Sequence, residues 1–435
     1  MDQKLKILHT ADWHVCDEFL GDAVRCLEFL VRKAREIDPD IIVISGDIYN
    51  HRQIRQESAA AKLAFSKVRA LANIAPVMVL VGTPSHDGRA PDLLGQIHED
   101  YPVWTEGLPN MVILLKSPLG EIQVHRDLDE LAQEEWKALA IVSFMPAFTK
   151  QYFQTKSDIE TADQEIAKEL GAIFGNFGVM RNEVNKKLRF NKLAHPIPHI
   201  LMGHWTIGGS FVHPSQALTG LDIEVARDHI ALANPDIVCM GHIHAQQKIG
   251  QNIFYPGSLF ATDFGEHEAK GFYIHELELV DLGGNWEITD SDFVLTPSPV
   301  LVKLTTELFK AKTDDTANLV MRKTLEGVTS NPNAIIRYEV KIYQDMAHTI
   351  DREMIEKFVA EKIGPRKFDL QIVRMPRPNV RSARVIEVES LRDKLKTRAE
   401  IIEEPITDPI LEKADLLENT EPEELLSMVQ KGVQL

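Results

Sequence analysis

Ile41-Ile42-Val43-Ile44-Ser45-Gly46-Asp47 carries an unbroken apolar run into a glycine and a carboxylate. A short β-branched run bounded by Gly reads as a buried strand. A strand end is a rigid place from which to aim a side chain into a shared cleft. Asp or His placed after a largely apolar run recurs four more times. Leu5-Lys6-Ile7-Leu8 precedes Asp12-Trp13-His14, and Val77-Met78-Val79-Leu80 precedes Ser85-His86-Asp87. Ile200-Leu201-Met202 precedes Gly203-His204, and Ile237-Val238-Cys239-Met240 precedes Gly241-His242-Ile243-His244. An amphipathic helix is expected near 22–37, where Val24, Leu27, Leu30, Val31 and Ala34 share one side, and an Ala-rich helix near 55–74. Strand and helix alternating in this way imply a mostly parallel sheet at the start of the chain.

Taken singly, each motif is ordinary: an Asp-x-His pair is common, and a Gly-Asp after a strand is usually a turn. Five of them in series point to a hydrolytic site with two metal ions. Such ions, roughly 3.5–4 Å apart, clamp the attacking and leaving oxygens of an in-line displacement. One ligand must serve both ions, and a carboxylate with two oxygens suits that, so Asp47 is the expected bridge. Mixed Asp and His donors suit Mn²⁺, Fe²⁺ or Zn²⁺ better than Mg²⁺ or Ca²⁺, which favour all-oxygen shells. His242 and His244 stand two apart and can each reach a different ion. A water activated by the metals is the expected nucleophile. His86 is the expected proton donor to the leaving alkoxide, with Asp87 as its orienting partner.

In residue type and order the series resembles the calcineurin-like metallophosphoesterase superfamily. Tyr255-Pro256-Gly257-Ser258 followed by Asp263-Phe264-Gly265-Glu266 narrows this and resembles the SbcD-type DNA repair nucleases. His9-Thr10-Ala11-Asp12-Trp13-His14 and Ser45-Gly46-Asp47-Ile48-Tyr49 agree with it. The resemblance implies two mixed β-sheets packed face to face and flanked by helices. It implies that Asp12, His14, Asp47 and His244 hold one metal, Asp47, His204 and His242 hold the other, and His86 meets the substrate phosphate. Mn²⁺ is the expected ion. The partners it implies are DNA, an SbcC-like coiled-coil ATPase and a second copy of the chain.

Two positions depart from the family pattern. The usual Gly-Asn-His-Asp, whose Asn amide oxygen is a metal ligand, is here Gly82-Thr83-Pro84-Ser85-His86-Asp87. Counting back from His86 puts Ser85 in the Asn place, as a weaker metal ligand. Three residues past Asp47, where several members carry His or Asp, stand Asn50 and then His51. Either is a candidate substrate contact, although a plain polar loop reads the same.

Composition bounds the rest. A chain of 435 residues with 44% hydrophobic and 26% charged residues is an ordinary globular protein of more than one domain. Only Cys16, Cys26 and Cys239 occur, so no disulfide framework is expected. The start, Met1-Asp2-Gln3-Lys4, lacks a secretory pattern, and no apolar stretch reaches the ~18 residues of a membrane span. A cytoplasmic protein is expected. The net charge of −17 argues against casual DNA binding, which rests on Lys and Arg. A basic stretch, Arg366-Lys367 with Arg374, Arg377, Arg381 and Arg384, is read as a solvated edge and linker.

Pro297 and Pro299 mark a boundary, and Pro376 and Pro378 another. The expected division is a nuclease domain at 1–298, a small α+β capping domain at 299–376, and a linker with a helical partner-binding tail at 377–435. Within the first, a polar helical region at 157–193 is read as an insert, an external helical pair. In the tail, Val388, Leu391, Leu395, Ala399 and Ile402 form one apolar stripe, and Leu425, Leu426, Met428 and Val429 another. The expected function is a two-metal DNA nuclease, exonucleolytic on duplex ends and endonucleolytic on single strands. The alternatives are a small-nucleotide phosphodiesterase or a weakly active scaffold at DNA ends.

Overall fold

The apolar runs form the strands. β1 (Lys4–Thr10), β2 (Ile41–Ser45), β3 (Val77–Leu80) and β4 (Val103–Glu106) lie parallel, each beside the next. They are followed by β5 (Asn110–Lys116), β6 (Ile122–His125), β7 (Lys137–Met145) and β8 (His199–His204). β9 (Thr206–Ile207) and β10 (Glu224–Val225) are a short parallel pair. Then come β11 (Ile237–Gly241), β12 (Gln247–Ile249), β13 (Ile253–Tyr255), β14 (Gly271–Leu279) and β15 (Trp286–Leu295). This computed structural model describes residues 4–126, 136–148, 159–190, 196–213, 216, 223–280, 285–311, 313–377, 385, 387–422, 424 and 425.

Two large mixed sheets result. The first has the order β15-β14-β1-β2-β3-β4, with β14 antiparallel to both its neighbours. The second has the order β12-β13-β11-β8-β7-β5-β6, parallel from β13 to β7 and antiparallel at both edges.

Period-two alternation shows how the sheets stack. Ile41, Val43, Met78 and Leu80 of the first sheet share one core with Val112, Leu114, Val142, Phe144, Ile200, Met202 and Cys239 of the second. The alternate residues Ile42, Ile44, Val77 and Val79 face helices instead, joining Leu27, Leu30, Ala64 and Val68. Sheets covered on both faces need no polar alternation, which explains the unbroken run at Ile41–Ile44. The expected sandwich with helices outside is the fold.

The first sheet's helices are α1 (Leu20–Ile37) and α2 (Ala59–Ala72). α2 begins four residues later than expected because the Ser58 hydroxyl accepts the Ala61 N–H at 3.1 Å and caps it. Over the second sheet lie α3 (Ile159–Phe190) and α4 (Arg227–Ala233). Here the reading of 157–193 as an external helical pair is corrected. The segment holds one helix of 32 residues, and it is part of the core layer. Ile166, Leu170, Phe174, Phe177 and Val184 recur at helical spacing and are buried with Leu201, Val238 and Met240.

β16 (Val300–Glu307), β17 (Ala334–Tyr343) and β18 (Lys367–Met375) form a three-stranded sheet in that order. α5 (Asp314–Glu326) and α6 (Arg352–Lys362) fall between them in sequence, as the strand–helix–strand–helix–strand reading expected. The chain divides into two compact units. One comprises Met1–Thr306, Met321–Glu339 and Arg352–Gln371; the other comprises Glu307–Val320, Val340–Asp351 and Ile372–Leu435. In the second unit α7 (Leu391–Ile402) buries no side chain, while α8 (Asp408–Asn419) buries Leu411 and Ala414. The last apolar stripe, from Leu426 onward, lies outside the described residues.

The basic stretch is taken up by local pairs. Within the first unit Arg366 grips Asp22 through both nitrogens, at 2.7 and 2.8 Å. Within the second, Arg377 bonds Asp345 at 2.9 Å and Glu404 at 3.1 Å. Arg381 and Arg384 lie outside the described residues. Among the described residues, no helix is long and apolar enough to cross a membrane.

Candidate metal centre

Asp12 and His14 follow β1, Asp47 follows β2, His86 and Asp87 follow β3, His204 ends β8, and His242 and His244 follow β11. These ends meet. The Asp12 N–H donates to Gly46 O and the His14 N–H to Asp47 O, each at 3.0 Å. Glycine makes the approach possible. Gly46 has φ of +90°, and a Cβ there would stand 2.3 Å from His204 Nδ1; a Cβ on Gly241 would stand 2.0 Å from Ser45 O. Asp12, His14, Asp47 and His242 themselves have φ of +49°, +43°, +51° and +84°. Each such backbone costs on the order of 1–3 kcal/mol for a non-glycine residue and clusters where function requires it.

The ligand-type atoms fall into overlapping groups: Asp12, His14 and His244; His14, Asp47 and His86; Asp47, His204 and His242. Asp47 Oδ2 lies 3.1 Å from His204 Nε2 and 4.0 Å from His14 Nε2, and so stands between two groups. The Asp12 carboxylate accepts the His242 N–H with both oxygens, at 2.9 and 3.1 Å.

Three imidazoles have their tautomer set from behind. His204 Nδ1 faces Ser45 O at 2.7 Å, His86 Nδ1 faces Asn50 O at 2.8 Å, and His244 Nδ1 faces Glu266 Oε1 at 2.6 Å. Each acceptor calls for Nδ1–H, which leaves Nε2 turned to the cleft.

Electrostatics reflect crowding. Burial raises Asp12 to about 6, aided by Asp47 and opposed by His204 and His244. Burial also opposes the Asp47 charge, yet His204 and His14 hold that carboxyl well below its usual range. Burial opposes protonation of His204, but Asp47 and Asp12 outweigh it and raise the ring to about 9. His242, with burial dominant and His204 adding to it, falls to about 3.

Two assignments change. Ser85 is exposed, and its carbonyl accepts the Arg52 N–H. The residue facing the ligands is Thr83, whose hydroxyl lies 3.1 Å from Asp47 Oδ2 and 3.2 Å from His204 Nε2. The insertion Pro84-Ser85 is pushed to solvent, so counting back from His86 misplaced the register. Asp87 does not orient His86 either. It is fully buried, and its two oxygens accept the Tyr49 and Gly82 N–H groups at 2.9 Å, tying the loops together. Burial, then the Asp47 charge, raises it to about 7. The group behind His86 is the Asn50 carbonyl. The Asn50 amide and the exposed His51 ring lie 3.2 Å apart at the rim.

Sequence reasoning gave no role to Glu266, Lys270 or Gln216. Glu266 is buried, accepts the Thr262 N–H at 3.0 Å and lies 3.5 Å from Lys270 Nζ. Burial opposes its charge, but His244 and Lys270 hold it down to about 2. Lys270 also donates to Ser258 Oγ at 2.8 Å and to His244 O at 3.1 Å. The Gln216 side chain spans the His242–His244 loop, donating to His242 O and accepting the His244 N–H. The Asp263-Phe264-Gly265-Glu266 segment and the Glu266-x-x-x-Lys270 spacing are signals that foreshadow this support; nothing near Gln216 does.

The profile of the calcineurin-like phosphoesterase family matches residues 5–246. The chain belongs to the calcineurin-like phosphoesterase family. Among curated relatives, the SbcD subunit of the nuclease SbcCD from Staphylococcus epidermidis is 25% identical over 63% of this chain and 66% of its own length. The protein of the same name from Staphylococcus saprophyticus is 25% identical over 67% of this chain and 69% of its own. The chain thus spans about two thirds of these relatives. A solved structure, a dimetal phosphatase from Danio rerio, matches at 12% identity over 67% of this chain and 99% of its own, with a TM-score of 0.36.

Calcineurin-like phosphoesterases use a dimetal site, and the residues here fit one. Among the described residues, the buried His242 Nε2 has no hydrogen-bond partner. His14 Nε2 and His244 Nε2 face each other at 2.9 Å, close to the roughly 3 Å between adjacent ligands on a small octahedral cation. The buried trio His9, Cys239 and His275 is different. His9 bonds Met240 O at 3.1 Å and His275 at 3.4 Å, and His275 bonds Ser291 at 2.8 Å, so every ring nitrogen is already partnered. Burial pushes the Cys239 thiol up.

Proposed function

We propose that the chain is a two-metal phosphodiesterase acting on DNA, with nuclease activity on duplex ends and single strands. The observation that carries this reading is Asp47 standing between two groups of buried carboxylate and imidazole donors. The two relatives named as nuclease subunits support DNA as substrate. Asp12, His14, Asp47 and His244 would hold one ion, and Asp47, His204 and His242 the other. Mixed donors of this kind suit Mn²⁺, Fe²⁺ or Zn²⁺, and Mn²⁺ is the ion proposed here. When bound, the ions supply Lewis acidity that polarises the phosphodiester and eases deprotonation of water.

The chain's own residues do the rest. His86 is half-buried at the cleft, its ring 4.8 Å from that of His14. With Nδ1–H committed to the Asn50 carbonyl, Nε2 is turned to the cleft and, when protonated, can donate to a phosphate oxygen and give its proton to the leaving alkoxide. Asp87 keeps this loop on the Asp47 loop. Asn50 and His51 at the rim would contact substrate.

Residues 1–298 would be the nuclease domain, 299–376 a cap and 377–435 a linker and tail for an SbcC-like ATPase. Leu391, Ile402, Ile410, Leu416 and Leu417 are exposed there, as a docking stripe requires. A groove beside Tyr49 and Arg52 presents exposed Phe65 and Leu93, apolar surface suited to a second copy of the chain.

Hydrolysis of linear duplex DNA and of a cyclic nucleotide, compared with Mn²⁺ at equal phosphodiester concentration, tests the substrate class. Faster turnover of DNA is expected; a preference for the nucleotide would favour a small-nucleotide phosphodiesterase.

A further inference from the structure

We infer that Thr83 supplies a hydroxyl ligand to the second ion, beside Asp47, His204 and His242. The inference rests on the two-metal reading above and names a residue of that site. Three donor atoms of three segments form a nearly equilateral triangle. Thr83 Oγ1 lies 3.1 Å from Asp47 Oδ2 and 3.2 Å from His204 Nε2, and these two lie 3.1 Å from each other. Adjacent ligands of an octahedral ion at roughly 2.1 Å stand about 3 Å apart. The triangle therefore has the dimensions of one octahedral face.

The local chain is built for this approach. A Cβ on Gly82 would stand 2.2 Å from Asp47 Oδ1, so only glycine lets the segment lie against that carboxylate. The Thr83 N–H donates to Asp47 Oδ1 at 2.5 Å. The Thr83 carbonyl accepts the His86 and Asp87 N–H groups at 2.9 and 3.0 Å. Thr83 thus anchors the turn that carries His86, and Pro84 and Ser85 bulge outward from it. With the ion present, the hydroxyl proton can no longer be shared with Asp47 Oδ2, and the oxygen lone pair faces the metal. A neutral hydroxyl is a weak donor, so the second ion is held less tightly than the first.

Mn²⁺ titration by calorimetry, with electron paramagnetic resonance of the loaded protein, tests this on wild type, Thr83→Val, Thr83→Ser and Thr83→Asn. Wild type is expected to take up two ions and to show the spin-coupled signal of a pair. Thr83→Val, equal in shape but without the hydroxyl, should lose the weaker ion's affinity by about 10- to 100-fold and lose the coupled signal. Its tighter ion should be unchanged. Thr83→Ser should keep both ions, and Thr83→Asn should bind the second at least as tightly as wild type. If Thr83→Val binds both ions as wild type does, Thr83 is no ligand. If it weakens both equally, the hydroxyl merely holds Asp47 in place, which also overturns the inference. A wild type that takes up no Mn²⁺ would instead sink the two-metal reading from which the inference starts.

Discussion

At the scale of single residues, three rings of the centre, His204, His86 and His244, commit one nitrogen so that the other is free. Glu266 does this for His244, and Lys270 keeps Glu266 charged. Glu266→Ala should therefore weaken Mn²⁺ binding by about 10- to 100-fold without unfolding the protein, and Glu266→Gln should recover part of it. Calorimetry on the two variants checks this; an unchanged affinity in Glu266→Ala would show that packing alone orients His244. Most of the candidate ligands that the structure brings together were legible in the sequence, because Asp and His rarely gather at so many apolar-run ends by chance. Thr83 was not legible. Its role depends on which residues of a two-residue insertion bulge, and that is decided by Gly82 packing on Asp47. Asp87 was misread for a similar reason: adjacency to His86 suggested a bond to it, whereas the carboxylate turns inward to two backbone amides.

At the scale of elements, α3 is the instructive case. Polar side chains are spread along its whole length, so it reads as an insert, yet its apolar side chains keep helical register over the second sheet. Phe174 is fully buried against Trp205 and Phe177. Phe174→Ala should cost about 3–5 kcal/mol, seen as a lowered urea midpoint. A change under about 0.5 kcal/mol, the range of surface substitutions, would mean that the helix is not part of the core layer. Strands were easier to read. β1, β2, β3, β8 and β11 fell within a residue or two of their expected places, since a run covered on both faces is mostly apolar, as at Ile41–Ile44. The order of strands within each sheet was not legible, because it depends on long-range pairing such as β14 beside β1.

At the scale of the whole molecule, three imidazoles are sealed in the sandwich as neutral groups. Burial lowers His9 and His199 to about 3, and holds His275 well below the ordinary imidazole range. In the unfolded chain they take up protons below pH ~6.5, while in the folded chain they do not, so folding loses stability as the pH falls. Each should cost about 1.4 kcal/mol per pH unit below ~6.5 and nothing above it. Urea midpoints of the metal-free protein should fall steadily as the pH is lowered from ~6.5 to ~5. A flat profile through the acid range would show that these rings gain protons in the folded state. The proposed contact between copies is tested at the same scale. Phe65→Glu with Leu93→Glu should convert a dimer to a monomer in sedimentation; a wild type that is already monomeric would remove that proposal.

If this centre cleaves phosphodiester bonds in DNA, His86 takes part in the chemical step. The most direct test is Mn²⁺-dependent cleavage of end-labelled linear duplex by wild type and by His86→Ala, with Mn²⁺ uptake measured on both. Cleavage by wild type is expected, with a loss of about 10²–10⁴-fold in the variant and two bound ions in each. Equal cleavage by the variant, or no cleavage by a wild type carrying both ions, would contradict it.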